Sequence, residues 1–587
     1  MLVAQPELSN AAIADALEEL GDLYELDGAI VHRVLAYRAA AKTVREASVS
    51  VAALARAGRA TELPAVGNTL QEKILALIDT GTIPAADKLR AKFPAGLIAI
   101  TRLPGLGPKR ARLLHSELGI DSLAKLREAA LTERLRTVRG LGPKLEASVL
   151  AAIADGAGER AAPRVLLPKA IEAGQALVSE LTAKGSPGTQ VLLAGSARRQ
   201  ADSVKDLDLI AVTTRPTTLA KSLVRLEEIE SVSSASRAGA RGRTHSGVGV
   251  DLRIAKPTQL GNLLQHFTGS GGHNAALREG AVRRGLHVSE YGLLDDAIGR
   301  TRTCTSEAEL YDLLGLAYIE PELRENRGEL EAARLQGGDG LPSLLSLTDI
   351  RGDLHSHTVA SDGHATIAEM ADAARQRGYE YLAITDHSAT HGFGNDVSPE
   401  ELRRQIELVR EVDARMEGIE LLAGSEVNIL PDGSLDYEDE LLAELDWVIA
   451  SVHTAFGLSE QAMTERMIAA IEHPLVDAIG HPTGRLIERR EPYAIDLAAV
   501  FAAAARAGTM LEINANPDRR DLSDIHARAA VRVGVRIVIN SDAHRTQTLA
   551  NMRWGVATAR RAWLRAEDVA NTRSPSALQK LRKQTRQ

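Results

Sequence analysis

Six histidines and three acids, spaced at the ends of successive apolar runs, constrain this 587-residue chain more than any other feature. Ten of its 16 histidines lie after position 350. Six of these close a short run of strand character: His355 and His357 in DLHSH, His387 in TDH, His453 in SVH, His481 in GHP and His544 in SDAH. Asp362 in SDG, Glu426 in GSE and Asp542 in SDAH accompany them. The runs at 381–385, 419–424, 447–451, 478–480, 509–513 and 537–540 alternate with helical stretches. That alternation predicts a parallel barrel or a doubly wound sheet. In a barrel, side chains at strand C-termini converge on one mouth. Period-two alternation puts His355 and His357 on one face, within reach of one ion. Imidazole with carboxylate suits zinc, manganese or iron, and nine ligands exceed what one ion takes. Two or three ions would activate a water and clamp a phosphate, which is phosphoester hydrolysis. One buried histidine bonded to a carbonyl would be ordinary, but six in step with the strands are not. His364, His391, His473 and His526 fall outside the pattern and read as surface or supporting residues.

At about 150 residues per domain, a chain of this length predicts roughly four domains. Aromatics make up only 3% of residues, which favours helical and α/β layers over a sandwich. A single cysteine, Cys304, excludes an intrachain disulfide. No apolar run reaches the ~18 residues of a membrane span, and MLVAQPELSN lacks the marks of a signal peptide. The cytoplasm is the expected compartment. The net charge of −8 does not advertise a nucleic-acid binder, although a long acidic chain can still hold a basic groove.

Ahead of the histidines lies a second acidic constellation. Gly195-Ser196-Ala197-Arg198-Arg199 precedes Asp206-Leu207-Asp208-Leu209, and Asp251 sits in a further short apolar run. The run carrying Asp206 and Asp208 predicts a strand, so both carboxylates share a face. Three carboxylates can hold two divalent ions about 3.5–4 Å apart, the arrangement for in-line nucleotidyl transfer. Mg²⁺ is expected, because an all-oxygen site with phosphate ligands suits it. Gly195 and Ser196 would offer backbone N–H groups and a hydroxyl to phosphates, and Arg199 would add charge. An isolated D-x-D is common on surfaces, whereas the full set is rare.

The front of the chain is helical, with Ile13, Leu17, Leu20 and Leu23 at helical spacing, and then repetitive. Leu63-Pro64-Ala65-Val66-Gly67, Leu103-Pro104-Gly105-Leu106-Gly107 and Val138-Arg139-Gly140-Leu141-Gly142 each precede a helical run. Backbone N–H groups at such a turn and helix start can bind a DNA phosphate without reading sequence. Gly67, Gly105, Gly107, Gly140 and Gly142 are the candidate contacts, with Lys109 beside the second turn. Residues 258–325 read as mostly helix, 336–347 as a glycine-containing linker, and 576–587 as a basic, frayed tail.

These motifs carry three resemblances. The glycine turns resemble helix-hairpin-helix motifs. The middle set resembles the nucleotidyltransferase palm of family X DNA polymerases, with His266-Phe267-Thr268-Gly269-Ser270 similar to that family's YFTGS motif. The histidine segments, over about 348–575, resemble the PHP (polymerase and histidinol phosphatase) domain in order and content. The whole chain resembles a bacterial family X DNA polymerase with a C-terminal PHP domain. That resemblance implies a multidomain α/β protein. Its parts would be an 8 kDa-like domain at 1–85, helix-hairpin-helix fingers at 86–158, an α+β palm at 159–257, a helical or mixed thumb at 258–335, and a distorted (β/α)7 barrel. It implies that Phe267 and Gly269 flank the incoming sugar, that Asn274 contacts the base or minor groove, and that Arg278 checks the template pair. Glu290 and Tyr291 also fall at family positions, and Asn514, Asn516 and Arg519 would line the barrel mouth. Lys73 falls where some members carry a Schiff-base lyase lysine. Two positions depart from the family: His266 stands for a tyrosine, and Lys205 for the glycine that lets the backbone approach the triphosphate.

The implied activity is filling of short DNA gaps with dNTPs and Mg²⁺, in base excision or break repair. The barrel would trim 3′ ends as a Mn²⁺- or Zn²⁺-dependent 3′–5′ exonuclease, with AP endonuclease or 3′-phosphatase activity as further options. The expected partners are gapped or nicked DNA and its 3′ ends, the expected state a nucleoid-associated monomer. Two rival readings use the same residues. One is a DNA end-binding and trimming protein with an inactive palm. The other is a small-molecule phosphatase fused to a DNA-binding front, against which the three glycine turns argue.

Overall fold

A computed structural model describes residues 8–583 except 102, 104, 155–163, 391, 393 and 394. Pro104 of the second turn, His391 and the last four residues of the tail therefore lie outside the described residues. The chain forms two compact units. One comprises Met1–Val165, Ala173–Leu192 and Lys205–Ile254; the other comprises Leu166–Glu172, Leu193–Val204 and Ala255–Gln587. Compactness and chain order thus part company within 159–257, where the segment expected as one palm contributes to both units. Among the described residues, no helix is long and apolar enough to cross a membrane.

In the first unit, helices Asn10–Leu26 and Val31–Glu46 pack through Ile13, Leu17, Leu20, Leu23, Tyr37 and Val44, all buried. The three glycine turns have one geometry. Val66, Leu106 and Leu141 each donate a backbone N–H to the carbonyl three residues earlier, at 3.0–3.1 Å. Helices Asn68–Thr80, Pro108–Leu118 and Pro143–Ala154 then begin directly after Gly67, Gly107 and Gly142. The central turn residue is left-handed in all three, with φ of +76° at Gly105, +86° at Gly140 and +62° at Ala65. Alanine thus carries strain that glycine avoids. The unit also holds a five-stranded sheet in which Asp206–Val212 lies between Gln190–Leu193 and Gly249–Ala255.

The second unit contains helices Leu260–Thr268 and Gly271–Val282. The expectation of mostly helix across 258–325 is corrected here. Leu286–Ser289, Gly292–Asp295 and Arg300–Arg302 form an antiparallel three-stranded sheet. The third strand is exposed along its length, so no apolar alternation marked it.

Seven parallel strands follow: Gly352–Asp353, Tyr381–Ile384, Glu420–Asn428, Trp447–Ser451, Ala478–Ile479, Met510–Asn514 and Ile537–Asn540. They neighbour one another in chain order, and a parallel bridge between Ser356 and Ala543 joins first to last. The sheet is therefore a nearly closed barrel rather than a doubly wound layer. Its helices start at strong signals. Thr366 with Glu369 and Ser398 with Glu401 form capping boxes, each satisfying orphan N–H groups of a first turn. Leu354, Tyr381, Leu422, Trp447, Ile449 and Val538 fill the inside of the barrel, joined by Leu578 from the C-terminal helix Pro575–Gln579. The tail is accordingly not frayed through residue 583. The Lys583 ammonium donates to the carbonyls of Ile471 and His473, and its backbone N–H to Asp477, each at 2.8 Å.

Candidate functional site

The barrel brings all nine strand-end residues to one mouth. Glu426, at the centre, is almost fully buried. Its Oε2 lies 3.3 Å from His355 Nε2, 3.6 Å from His357 Nε2 and 2.9 Å from His387 Nδ1. Its Oε1 lies 3.2 Å from His453 Nε2 and 3.0 Å from His481 Nε2. Asp542 Oδ1 approaches His357 Nε2 at 3.1 Å, and Asp362 Oδ2 approaches His544 Nε2 at 3.2 Å. Three overlapping sets place their ligand atoms within 4.8 Å of one another: His357, Asp362, His387 and His544; His355, His357 and Asp542; and His387, Glu426 and His453. The ring nitrogens of His357 and both oxygens of Glu426 are buried without a hydrogen bond of acceptable geometry. Atoms so arranged fit shared cations better than one another.

The electrostatics fit the same reading. Burial opposes ionisation of Glu426, but His453, His355 and His387 hold it well below the ordinary carboxylate value. Asp542 is likewise held well below, by His355, His357 and His544 against burial. Burial, with His481 and His387 beside it, pushes His453 down to about 4, although Glu426 pulls the other way. Burial with His544 and His387 lowers His357 to about 4. His544 is raised to about 9, its carboxylate neighbours Asp362 and Asp542 overcoming burial. Ionised carboxylates and neutral imidazoles are the ligand forms a divalent cation requires. Glu426, Asp542, His357 and His453 already stand so, whereas a cation would displace the proton that the neighbouring carboxylates favour on His355, His387 and His544.

Several supporting residues escaped the sequence reading. Glu512, fully buried, accepts from His355 Nδ1 at 2.8 Å, from the His481 N–H at 2.7 Å and from Asn540 at 3.0 Å. Its one signal was an acid within an apolar strand, LEIN. Asp386, beside His387, accepts from the Thr358 N–H at 2.7 Å and from the Ser361 hydroxyl at 2.5 Å, shaping the turn that presents Asp362. Asn514 reaches the mouth, donating to Asp542 at 3.0 Å, and Arg519 Nε stands 3.8 Å from the same carboxylate. Asn516 instead accepts the Asp518 N–H at 3.1 Å.

In the first unit, Asp206 and Asp208 alternate on one strand and Asp251 lies on its neighbour. A Cβ on Gly249 would stand 3.3 Å from the Asp206 Cβ, so the two strands approach closely there. Asp251 is held by Arg253 at 2.8 Å and Arg241 at 3.2 Å. Among the described residues, these aspartates form no compact group of the kind seen in the barrel. Lys73 is half-buried on helix Asn68–Thr80, and Lys109 opens helix Pro108–Leu118 beside its turn.

The second unit holds the remaining candidates. Gly195 is left-handed at φ +63° and opens a single helical turn that contains Ser196. Arg199 is not free-standing: its Nε donates to Glu325 at 2.9 Å and its Nη1 to the Thr268 carbonyl at 2.9 Å. Asn274 braces the turn after Phe267, donating to the carbonyls of His266 at 2.7 Å and Gly269 at 3.2 Å. Arg278 Nη2 lies 3.0 Å from His266 Nδ1, so the departing histidine is tied to the arginine through its ring nitrogen. Phe267 packs edge-on against His266, and Tyr291 is exposed.

Comparison with known proteins follows the same division. Family models match as a helix-hairpin-helix domain over residues 8–83, a SAM-like helix-hairpin-helix tandem over 97–155, a DNA polymerase beta thumb over 263–325 and a PHP domain over 353–516. The chain is 37% identical over 565 residues to the DNA polymerase/3′-5′ exonuclease PolX of Bacillus subtilis (strain 168), covering 95% of this chain and 96% of that one. It is 36% identical over 211 residues to a probable phosphatase of Caldanaerobacter subterraneus subsp. tengcongensis, covering 33% of this chain and 75% of that protein. A probable phosphatase of Shewanella sediminis is 34% identical over 236 residues, 38% of this chain and 91% of its own length.

Proposed function

Since the chain belongs to the family X DNA polymerases that carry helix-hairpin-helix domains and a C-terminal PHP domain, we propose that it fills short gaps in DNA and trims 3′ ends at a second, separate site. The observation that carries the second activity is the convergence of His355, His357, Asp362, His387, Glu426, His453, His481, Asp542 and His544 on one mouth. Bound there, two or three Mn²⁺ or Zn²⁺ ions would supply a nucleophilic water and charge neutralisation for phosphodiester hydrolysis. The chain's part is to hold the ligands. Glu512 fixes His355 and the backbone at His481, while Asn514 and Arg519 flank Asp542, where a phosphate oxygen would lie.

For nucleotidyl transfer, Asp206, Asp208 and Asp251 would hold two Mg²⁺ ions. Gly195, Ser196 and Arg199 would take the dNTP phosphates, with Phe267, Gly269, Asn274 and Arg278 around the sugar and base. Asn274 supports this by bracing the Phe267–Gly269 turn. The turns at Gly67, Gly105, Gly107, Gly140 and Gly142, with Lys109, would bind DNA phosphates flanking a gap. Lys73, half-buried on helix Asn68–Thr80, is the candidate for a lyase role, and the working state is a monomer.

The test is one gapped DNA incubated with dNTPs and either Mg²⁺ or Mn²⁺. Asp206→Asn with Asp208→Asn should abolish extension and spare trimming. His355→Ala with His357→Ala should do the reverse. Loss of both activities from either pair would refute two separate sites. Hydrolysis of small phosphomonoesters without degradation of DNA would favour the phosphatase reading instead.

A further inference from the structure

The segment just after Gly195 and Ser196 is held from two sides: the side chains of Arg198 and Arg199 bind Thr268, Glu307 and Glu325, and the barrel takes the backbone from Arg199 onward. Arg561, the last residue of helix Met552–Arg561, uses one nitrogen twice: Nη1 donates to the Arg199 carbonyl at 2.8 Å and to Glu325 Oε1 at 2.8 Å. Glu325 Oε1 also takes the Arg199 Nε at 2.9 Å. Arg561 thus fixes the backbone of Arg199 and the carboxylate that aims its side chain. Asp524 locks Arg561 from behind, 2.9 Å from Nη2.

The next residue, Gln200, sits at φ +59°, a conformation that side chains with a Cβ rarely adopt. Arg520, fully buried, donates to its carbonyl at 3.0 Å and pairs with Asp202 at 3.2 Å. A strained turn of this sort persists only where its surroundings over-determine it. Arg520 also follows Arg519, which faces Asp542 at the metal mouth. One loop of the barrel therefore reaches both places.

We propose that Arg561 and Arg520 are positioning residues for nucleotidyl transfer, through which the barrel sets the shape of the turn that receives the nucleotide phosphates. The barrel is then a structural part of the polymerase as well as the seat of hydrolysis. This rests on the reading that Gly195, Ser196 and Arg199 bind the dNTP. Neither arginine would touch the nucleotide, so the effect should fall on nucleotide affinity.

The experiment measures kcat and KM for dNTP on one-nucleotide-gapped DNA with Mg²⁺, and trimming of a 3′ mismatch with Mn²⁺, in the full-length protein. Arg561→Ala should raise KM for dNTP on the order of tenfold, as expected when a charge-assisted hydrogen bond is lost. Trimming should stay within about twofold of wild type, because Arg561 touches no metal-site residue. Arg561→Lys, which keeps the charge and one donor, should recover part of the loss. If Arg561→Ala does not fold, Asp524→Asn loosens Arg561 without opening a cavity and should raise the same KM by a smaller factor. An unchanged KM in the variant that folds, or extension and trimming falling together, would overturn the proposal. Failure of the wild-type chain to extend the gap would instead remove the dNTP-binding reading beneath it.

Discussion

His355 and Glu512 stand 2.8 Å apart at the floor of the metal mouth, and the other Glu512 oxygen receives the His481 N–H. One carboxylate thus sets the ring orientation of one ligand and the backbone of another. Partners of this kind typically cost 10–100-fold in metal affinity or activity when removed. Glu512→Gln should weaken Mn²⁺-dependent trimming by about that factor and leave extension intact. Trimming at the wild-type rate across a Mn²⁺ titration would reduce Glu512 to a packing residue.

Metal should stabilise the barrel. Glu426 gathers five imidazoles at 2.9–3.6 Å, and cations that bind only the folded state favour it by mass action. At a hundredfold excess over Kd the gain is about 2.7 kcal/mol. Calorimetry should show Tm rising when Mn²⁺ is added to chelator-treated protein. His357→Ala with Glu426→Ala should abolish that rise. An equal rise in the double variant would place the binding elsewhere.

Asp524 offers a pH-dependent test away from the ligands. Burial alone would raise its carboxyl, but Arg561 and Arg327 beside it hold it down to about 2. A depressed folded-state value contributes stability above the unfolded value, near 3.9, that is lost as pH falls towards 2. Asp524→Asn should therefore destabilise the protein by about 2 kcal/mol at pH 7. The gap from wild type should narrow between pH 4 and pH 2. Denaturant titrations at several pH values measure it, and a pH-independent gap would contradict the ion-pair assignment.

The three hairpin turns make a matched set. Gly140 is left-handed with nothing within 4 Å of where a Cβ would stand, so Gly140→Ala meets only backbone strain, about 1 kcal/mol. Ala65 already bears that strain at φ +62°. Ala65→Gly relieves it at some entropic cost and should be neutral or slightly stabilising. Thermal unfolding should rank the two substitutions with opposite or unequal signs. A clear loss from Ala65→Gly would mean that its methyl packs productively.

The barrel and its mouth were legible in the sequence because the nine histidines and acids sit at or near the ends of six of the seven strands, one local rule repeated along the chain. Glu512 was harder to see, since an acid inside an apolar run shows its purpose only once His355 is folded against it. The grip on Arg199 was illegible altogether: Glu325 lies 126 residues away in sequence and Arg561 a further 236. No local pattern encodes such pairs. The small antiparallel sheet at 286–302 escaped because strands of three or four residues, the third of them wholly exposed, are too short to show a hydrophobic period.

Leu578 belongs to the apolar filling inside the barrel, and Lys583 fastens the segment that delivers it. Domains tend to fold in order as they leave the ribosome. The barrel cannot close its interior until Leu578, which follows all seven strands, has been made. The helical front is free to fold early, while the barrel waits for the segment after its seventh strand, so loss of that segment would leave the interior beneath the metal mouth unfilled.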